Sequence, residues 1–446
     1  MEIARATREE LIELVLRQQA ELGSLQAQVV ELQVRVQQLE SQLGGGAKQP
    51  AWVKANRPQR AKGPRRPRAQ AYARPREEPT ELRYHTLECC PGCGRQLSGG
   101  WEHRRRQVIE LELAPVRVIE HVVMARWCGV CGRRWVPTLE AETLGAVGKL
   151  RFGVGIQSLV ATLHTAARMP LGMLGRMLRE LFALRISQGE MVDLLEGVAA
   201  AGGPELARLQ ADIRASPVVH GDETGWREDG RNGYLWSFST PKLRYFVHRR
   251  TRSGQVPREV LGEQFAGVLV SDFYGAYNAL GGPHQRCWVH LLRDLHALAE
   301  QAGEMPAVSE WVEAVSALYG QARAYQHADP RVGRRAQRVF ERKLLQLAAP
   351  YLGDREAPQH TLAQRLDRFA DELFAFVGDP RVPPDNNAAE RALRPAVIAR
   401  KISGGTRSPQ GSSTKTALLS LFGTWSAQQR NLLACCRQLL TSPASP

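Results

Sequence analysis

The sequence predicts a multidomain protein: an N-terminal coiled coil, a cysteine-built module, a helical region, and an α/β domain interrupted by a helical insertion. Three observations carry this. A heptad runs through residues 11–43, two Cys-x-x-Cys pairs lie between residues 85 and 140, and from about residue 216 the helical periodicity gives way to short alternating and apolar runs. At 446 residues and roughly 150 per domain, the chain has room for about three folded units.

In the heptad, Val15, Leu22, Val29, Val36 and Leu43 fall at a, and Leu11, Leu25, Leu32 and Leu39 at d. β-Branched Val at a with Leu at d favours a parallel two-stranded coil, so residues 1–44 are expected to dimerise the chain or build a larger assembly. Gln18 takes the remaining d position and should weaken the first turns. Residues 45–82 read as a basic linker. Lys48, Lys54, Arg57, Arg60, Lys62, Arg65, Arg66, Arg68, Arg74 and Arg76 stand among Pro, Gly, Ala and Gln with no acidic residue from 44 to 76. Such a stretch cannot bury a core, and its cations can neutralise phosphates. The whole chain shares the bias: Lys+Arg 60 against Asp+Glu 45 gives a net charge of +15, pointing to a polyanionic partner, nucleic acid first.

Residues 83–142 hold Cys90-Pro91-Gly92-Cys93-Gly94 and Cys128-Gly129-Val130-Cys131-Gly132 around two alternating runs, QVIELEL and VRVIEHVVMARW, read as a hairpin. Four thiolates from Cys90, Cys93, Cys128 and Cys131 would close a tetrahedral structural zinc site, making a zinc-ribbon-like module, with Cys89 a bystander. Residues 143–212 read as helices. MPLGMLGRMLRELFALRISQGEMVDLLEGVA gives helix, short turn, Ser187 as N-cap and a second helix, which is helix-turn-helix-like; a packed helix pair without DNA contact is the alternative. No run approaches the roughly 18 apolar residues of a membrane span, and the N-terminus lacks a signal-peptide pattern, so a cytoplasmic, nucleoid-associated protein is expected.

Residues 213–296 begin the α/β domain. Val218-Val219 lead to Asp222, GYLWSFST and LRYFVHRR flank the turn Thr240-Pro241-Lys242, and a run from Gly267 to Val270 delivers Asp272. Residues 297–380 read as a helical insertion. In 381–446, Pro383-Pro384 halts the chain, Asp385 or Asn386 can cap a helix, and Glu390 lies about one turn in. Three converging carboxylates would repel one another unless cations lay between them, a need that two Mg²⁺ (or Mn²⁺) ions would meet. Glu223 neighbours Asp222 but should point to the opposite face of a strand. Arg394 stands at i+4 from Glu390, either to pair with it or to hold a phosphate. Cys287 and His290 have ligand-like spacing, with a buried packing pair the favoured reading.

The CPxCG knuckle and second CxxC, Asp222-Glu223-Thr224, SDFYGAYN around Asp272, CWVH at Cys287 to His290, and DNNAAERALRP before Arg400-Lys401 together resemble the insertion-sequence 66 family of transposases along essentially the whole chain. The resemblance implies a ribonuclease H-like catalytic domain with a DDE triad of Asp222, Asp272 and Glu390. That triad would use Mg²⁺ or Mn²⁺ to cut insertion-sequence ends and join them to target DNA. It also implies DNA contacts, for which Arg391, Arg394, Arg400 and Lys401 join Arg65, Arg66 and Arg68 as candidates, and small accessory proteins encoded by the element. The competing expectations are a catalytically inert DNA-binding descendant and a zinc-ribbon DNA-binding regulator.

Overall fold

The computed structural model describes residues 78–100, 102, 106–109, 116–137, 151–303, 305–325 and 329–441, together with residues 28, 29 and 35. The expected coiled coil thus lies outside the described residues except at those last three positions, which are helical, and Arg65, Arg66 and Arg68 lie outside them entirely. The chain divides into two units, Met1–Glu110 and Leu111–Pro446.

In the first unit the chain folds tightly around Cys90. Its amide donates to the Arg95 carbonyl and its own carbonyl accepts from Gly94, both at 2.8 Å, while Cys89 and Gln96 form an isolated antiparallel bridge. In the second unit, β1 (Arg126–Cys128) and β2 (Arg133–Trp135) pair antiparallel around the second Cys-x-x-Cys. The two long strands expected between the cysteine pairs are not formed among the described residues; residues 106–109 and 116–125 carry no strand. Val108, Ile109, Val118 and Val122 are exposed there. Alternation alone does not make a stable ribbon when no second layer covers its apolar face.

Four helices follow: α1 (Val154–Thr165), α2 (Leu171–Phe182), α3 (Gln188–Ala201) and α4 (Gly203–Arg214). The expected turn between α2 and α3 is present, and Ser187 caps α3 in a full capping box with Glu190. A five-stranded sheet comes next, in spatial order β5-β4-β3-β6-β7. Its members are β3 (Val218–Glu228), β4 (Arg231–Ser239), β5 (Arg244–Arg249), then α5 (Gln255–Leu261), β6 (Val268–Ser271), a 3-10 turn at Gly275–Ala279, and β7 (His284–Arg286). β3, β4 and β5 form an antiparallel meander, whereas β6 runs parallel to β3 and β7 parallel to β6. The insertion comprises α6 (Trp288–Ala302), α7 (Pro306–Ala324), α8 (Pro330–Ala348), α9 (His360–Arg368), α10 (Ala370–Leu373) and α11 (Ala375–Gly378). The chain ends on α12 (Asn387–Ser403), α13 (Pro409–Ala427) and α14 (Leu432–Thr441).

The sheet is covered on both faces. Trp236, Phe238 and Val247 pack with Ile213 of α4, Val256 and Val260 of α5, and Tyr277. Leu235 and Phe246, their neighbours in sequence, point the other way, onto Leu393, Ala396 and Ala399 of α12 and Leu419 of α13. Burial of both faces explains why β4 is buried continuously from Leu235 to Ser239, Ser237 and Ser239 included, instead of alternating. The α1–α4 region shares a second core with α13 and α14, in which Leu174, Leu178, Met191 and Leu194 meet Leu421, Phe422 and Trp425.

The insertion has its own core. Trp288 at the start of α6 stacks on Tyr319, with ring centroids 4.6 Å apart and planes at 21°, and tilts against Phe374 at 5.3 Å. Its Nε1 donates to the Leu373 carbonyl and its backbone amide to the Pro384 carbonyl. Among the described residues, no helix is long and apolar enough to cross a membrane. Replacing Trp288, fully buried, with Ala should cost about 3–5 kcal/mol. A lowered thermal midpoint by circular dichroism, with the α1–α4 region still folded by limited proteolysis, is the expected result.

Candidate active site

The parallel pair β3/β6 sets the geometry. His220 pairs with Val270, so Asp222 and Asp272 each lie two residues beyond that position on neighbouring strands about 4.8 Å apart. Asp222 is still within β3, half-buried, and its Oδ1 accepts from the Glu223 amide at 2.8 Å. Asp272 stands just past β6, where the chain turns, and its Oδ1 accepts from the Tyr274 amide at 2.9 Å. Arg286 fixes the same turn from below. Its side chain is fully buried, and it donates to the Asp272 carbonyl (2.9 Å), Ser271 Oγ (3.1 Å) and Asn278 Oδ1 (2.6 Å) while pairing with Glu372 of α10. A buried guanidinium bonded to four acceptors and lying 4.8 Å from the Phe369 ring centroid makes a rigid mount.

Glu390 reaches this place through Asn386. Asn386 stands at the N-cap position of α12 but gives the helix no side-chain cap. Instead its Nδ2 donates to the Gly221 carbonyl at 2.8 Å, its Oδ1 meets His220 Nδ1 at 3.0 Å, and its amide donates to Cys287 Sγ at 3.2 Å. With Nδ2 assigned as the donor, Oδ1 must accept from His220 Nδ1–H. Asp385 takes the local role, its Oδ1 accepting from the Asn387 amide at 3.1 Å. Glu390, in the first turn of α12, therefore starts from a point bonded to the residue before Asp222. Its side chain is 48% exposed and lies 3.6 Å from His290 Nε2.

The carboxylates act on one another. Burial first, then the charges of Glu223, Asp272 and Glu390, push the Asp222 carboxyl up to about 7. Glu223 is tied to Tyr277 and Arg252, and burial pushes it up against those hydrogen bonds. Burial also holds His220 below its ordinary value and raises the Cys287 thiol. Among the described residues, no three His, Cys, Asp or Glu side chains gather into a group that could hold a metal ion. The oxygen-only donor set of Asp222, Asp272 and Glu390 nonetheless suits a hard divalent cation, and the mutual repulsion felt at Asp222 is what such a cation would relieve.

The other sequence-derived candidates fall in different places. Arg391 and Arg394 are exposed on α12, and no ion pair joins Arg394 to Glu390 among the described residues. Arg400 Nη1 donates to Thr224 Oγ1 at 3.0 Å and to the Gly225 carbonyl, beside a cleft of about 350 Å³; Lys401 is exposed. Each cysteine pair, taken by itself, turns amides toward its first sulfur. Amide hydrogen bonds from Gly92 and Cys93 hold Cys90 below the usual thiol range, and those from Cys131 and Val130 do the same for Cys128.

Residues 149–414, more than half of the chain, match the family described as Transposase IS66 family. The chain belongs to the IS66 transposase family. All three carboxylates of this transposase lie within the matched span. It is also 32% identical over 161 residues to the uncharacterized protein y4jO of Sinorhizobium fredii (strain NBRC 101917 / NGR234), a stretch that is 35% of this chain and 47% of y4jO. The transposase thus spans about half the length of that curated relative.

Asn386, Arg286 and the Glu223–Arg252 pair stand around the three carboxylates, a place that sequence reading did not give them. The paired asparagines after Pro383-Pro384 were the available signal for Asn386; for Arg286 there was none. The raised Asp222 gives a sign-definite test. Its charged form is disfavoured in the fold, so the penalty is absent below about 4, grows as pH rises, and is complete above about 7. In chelator, Asp222→Asn should raise the thermal midpoint at pH 8, and the gain should fade toward pH 4.

Proposed function

We propose that this transposase cuts the ends of its insertion sequence and joins them to target DNA through a DDE triad of Asp222, Asp272 and Glu390 on a ribonuclease H-like domain. The observation that carries the reading is the placement of Asp222 and Asp272 at matching positions of neighbouring parallel strands, with Glu390 one helical turn from a residue bonded to Gly221. A meander followed by parallel strands, with the third carboxylate on a helix packed across the sheet, is the arrangement such a domain needs.

Asp222, Asp272 and Glu390 would hold two Mg²⁺ or Mn²⁺ ions, which supply activation of a water or a DNA 3′-hydroxyl and stabilisation of the leaving oxygen. The protein's own part is positional. Arg286 and Asn386 hold the strand end and the helix start, and Glu390 completes the triad by releasing His290 and turning toward the strands, a rotamer change its exposure permits. Arg391, Arg394 and Lys401 contact the DNA backbone, as do Arg65, Arg66 and Arg68, while Arg400 braces β3 at the rim of the DNA path. The N-terminal heptad dimerises the transposase, and element-encoded accessory proteins join the active assembly.

Strand cleavage of DNA carrying the element's ends, with Mg²⁺ and those accessory proteins supplied, tests the triad. Asp222→Asn, Asp272→Asn and Glu390→Gln should each abolish cleavage while leaving DNA affinity within a few-fold; activity surviving in any one of them shows that ligand to be misplaced.

We further propose that Cys90, Cys93, Cys128 and Cys131 bind one structural zinc ion, which the amides aimed at Cys90 and Cys128 support. Metal analysis of the purified chain should find about one zinc, lost on Cys93→Ser; a zinc content unchanged in that variant would exclude this ligand set.

A further inference from the structure

The triad leaves Glu223 and Arg252 without a role. Glu223 follows Asp222 on β3, yet its side chain is only 2% exposed, so its charge requires partners. It has two. Tyr277 Oη donates to one carboxylate oxygen at 2.5 Å, and Arg252 donates to the other through Nε, at 2.9 Å, and through Nη2.

Arg252 is held from a second side. Its guanidinium carbon stands 3.6 Å from the centroid of the Tyr274 ring. Tyr274 is itself fixed at both ends, its amide donating to Asp272 Oδ1 at 2.9 Å and its hydroxyl to the Arg252 carbonyl at 2.7 Å. The guanidinium is therefore tied through Glu223 to the strand of Asp222 and through Tyr274 to Asp272 itself. Even so, the side chain is 39% exposed, and Nη1 makes no hydrogen bond among the described residues.

We propose that Arg252 is a phosphate-binding residue of the active site, stationed by Glu223 and Tyr274 at the rim of the Asp222–Asp272 pair, with Nη1 left to donate to a phosphate oxygen of the strand being cut. The inference rests on reading the triad as a DNA-cleaving centre. Its physical basis is the problem that centre poses: a polyanion must approach a cluster of carboxylates. A guanidinium braced on an aromatic face and a buried carboxylate offers its remaining donors at little conformational cost. Glu223 is then a positioning residue and no ligand.

The test is mobilisation of the complete element in cells, accessory genes included, for wild type, Arg252→Ala, Arg252→Lys, Glu223→Gln and the double variant Glu223→Gln/Arg252→Ala, with Asp222→Asn as reference. Thermal midpoints and DNA affinities of the purified chains show which variants are folded. Arg252→Ala should lower mobilisation on the order of 100-fold or more, Arg252→Lys should recover only part of that loss because the charge is kept but the stacked, forked guanidinium is not, and Glu223→Gln should fall between Arg252→Ala and wild type. The double variant decides. If Arg252 merely neutralised Glu223, removing both charges would restore mobilisation; if it binds phosphate, the double variant stays as impaired as Arg252→Ala. Restoration, or Arg252→Ala within threefold of wild type, overturns the proposal. Mobilisation by Asp222→Asn would instead overturn the triad reading beneath it.

Discussion

Asn386 holds the sheet half of this transposase together. Two of its bonds go to β3, at His220 and Gly221, and its amide goes to Cys287 at the start of α6. One buried asparagine, through its side chain and its backbone N–H, thus joins three segments far apart in sequence: the strand carrying Asp222, the entry to the insertion, and the helix carrying Glu390. A buried amide is held to its partners by the penalty for leaving any of them unsatisfied. Burial holds His220 below its ordinary value, and its Nδ1–H supplies the donor that Oδ1 needs. The helix start accordingly takes its local cap from Asp385 instead.

Around that pin the fold accommodates a strong concentration of negative charge. Asp222 and Asp272 are half-buried on adjacent strands with the nearly fully buried side chain of Glu223 beside them, and the cost is visible in the raised carboxyl of Asp222. Cations of two kinds answer it. Arg286 is wholly internal and addresses backbone and hydroxyl oxygens behind Asp272, whereas Arg252 lies at the surface and addresses Glu223. One arginine thus lies behind the carboxylates and the other in front of them.

Much of this was legible in the sequence, and where it failed the reasons are specific. The β4–β5 hairpin, the Ser187 cap, the apolar run before Asp272 and the helix after Pro384 are local signals, fixed by turn chemistry, caps and short-range pattern, and each appears where the residues place it. The strands expected between the cysteine pairs relied on alternation alone, and among the described residues Val108, Ile109, Val118 and Val122 stand exposed there. Asn386 looked like an ordinary cap because a cap is the local use of asparagine; its actual partners are more than 90 residues away in sequence. Arg286 gave no signal, since an isolated arginine reads as a surface charge until the acceptors that surround it are known. Glu223 was set aside by strand parity, an argument about which face a side chain takes that is silent on how a buried charge is compensated.

The bond between the Trp288 amide and the Pro384 carbonyl has a consequence for how such proteins diversify. It brings the first residue of the insertion and the last before the Asn386 segment within 3.0 Å. A long excursion whose ends meet closes a loop in which added residues carry only a slowly growing entropic penalty. The excursion has its own apolar core around Trp288, Tyr319 and Phe374 but stays tied to the sheet where its Glu372 pairs with Arg286. Residues can therefore be added within it at little cost to the geometry of the three carboxylates, provided that Glu372 still meets Arg286.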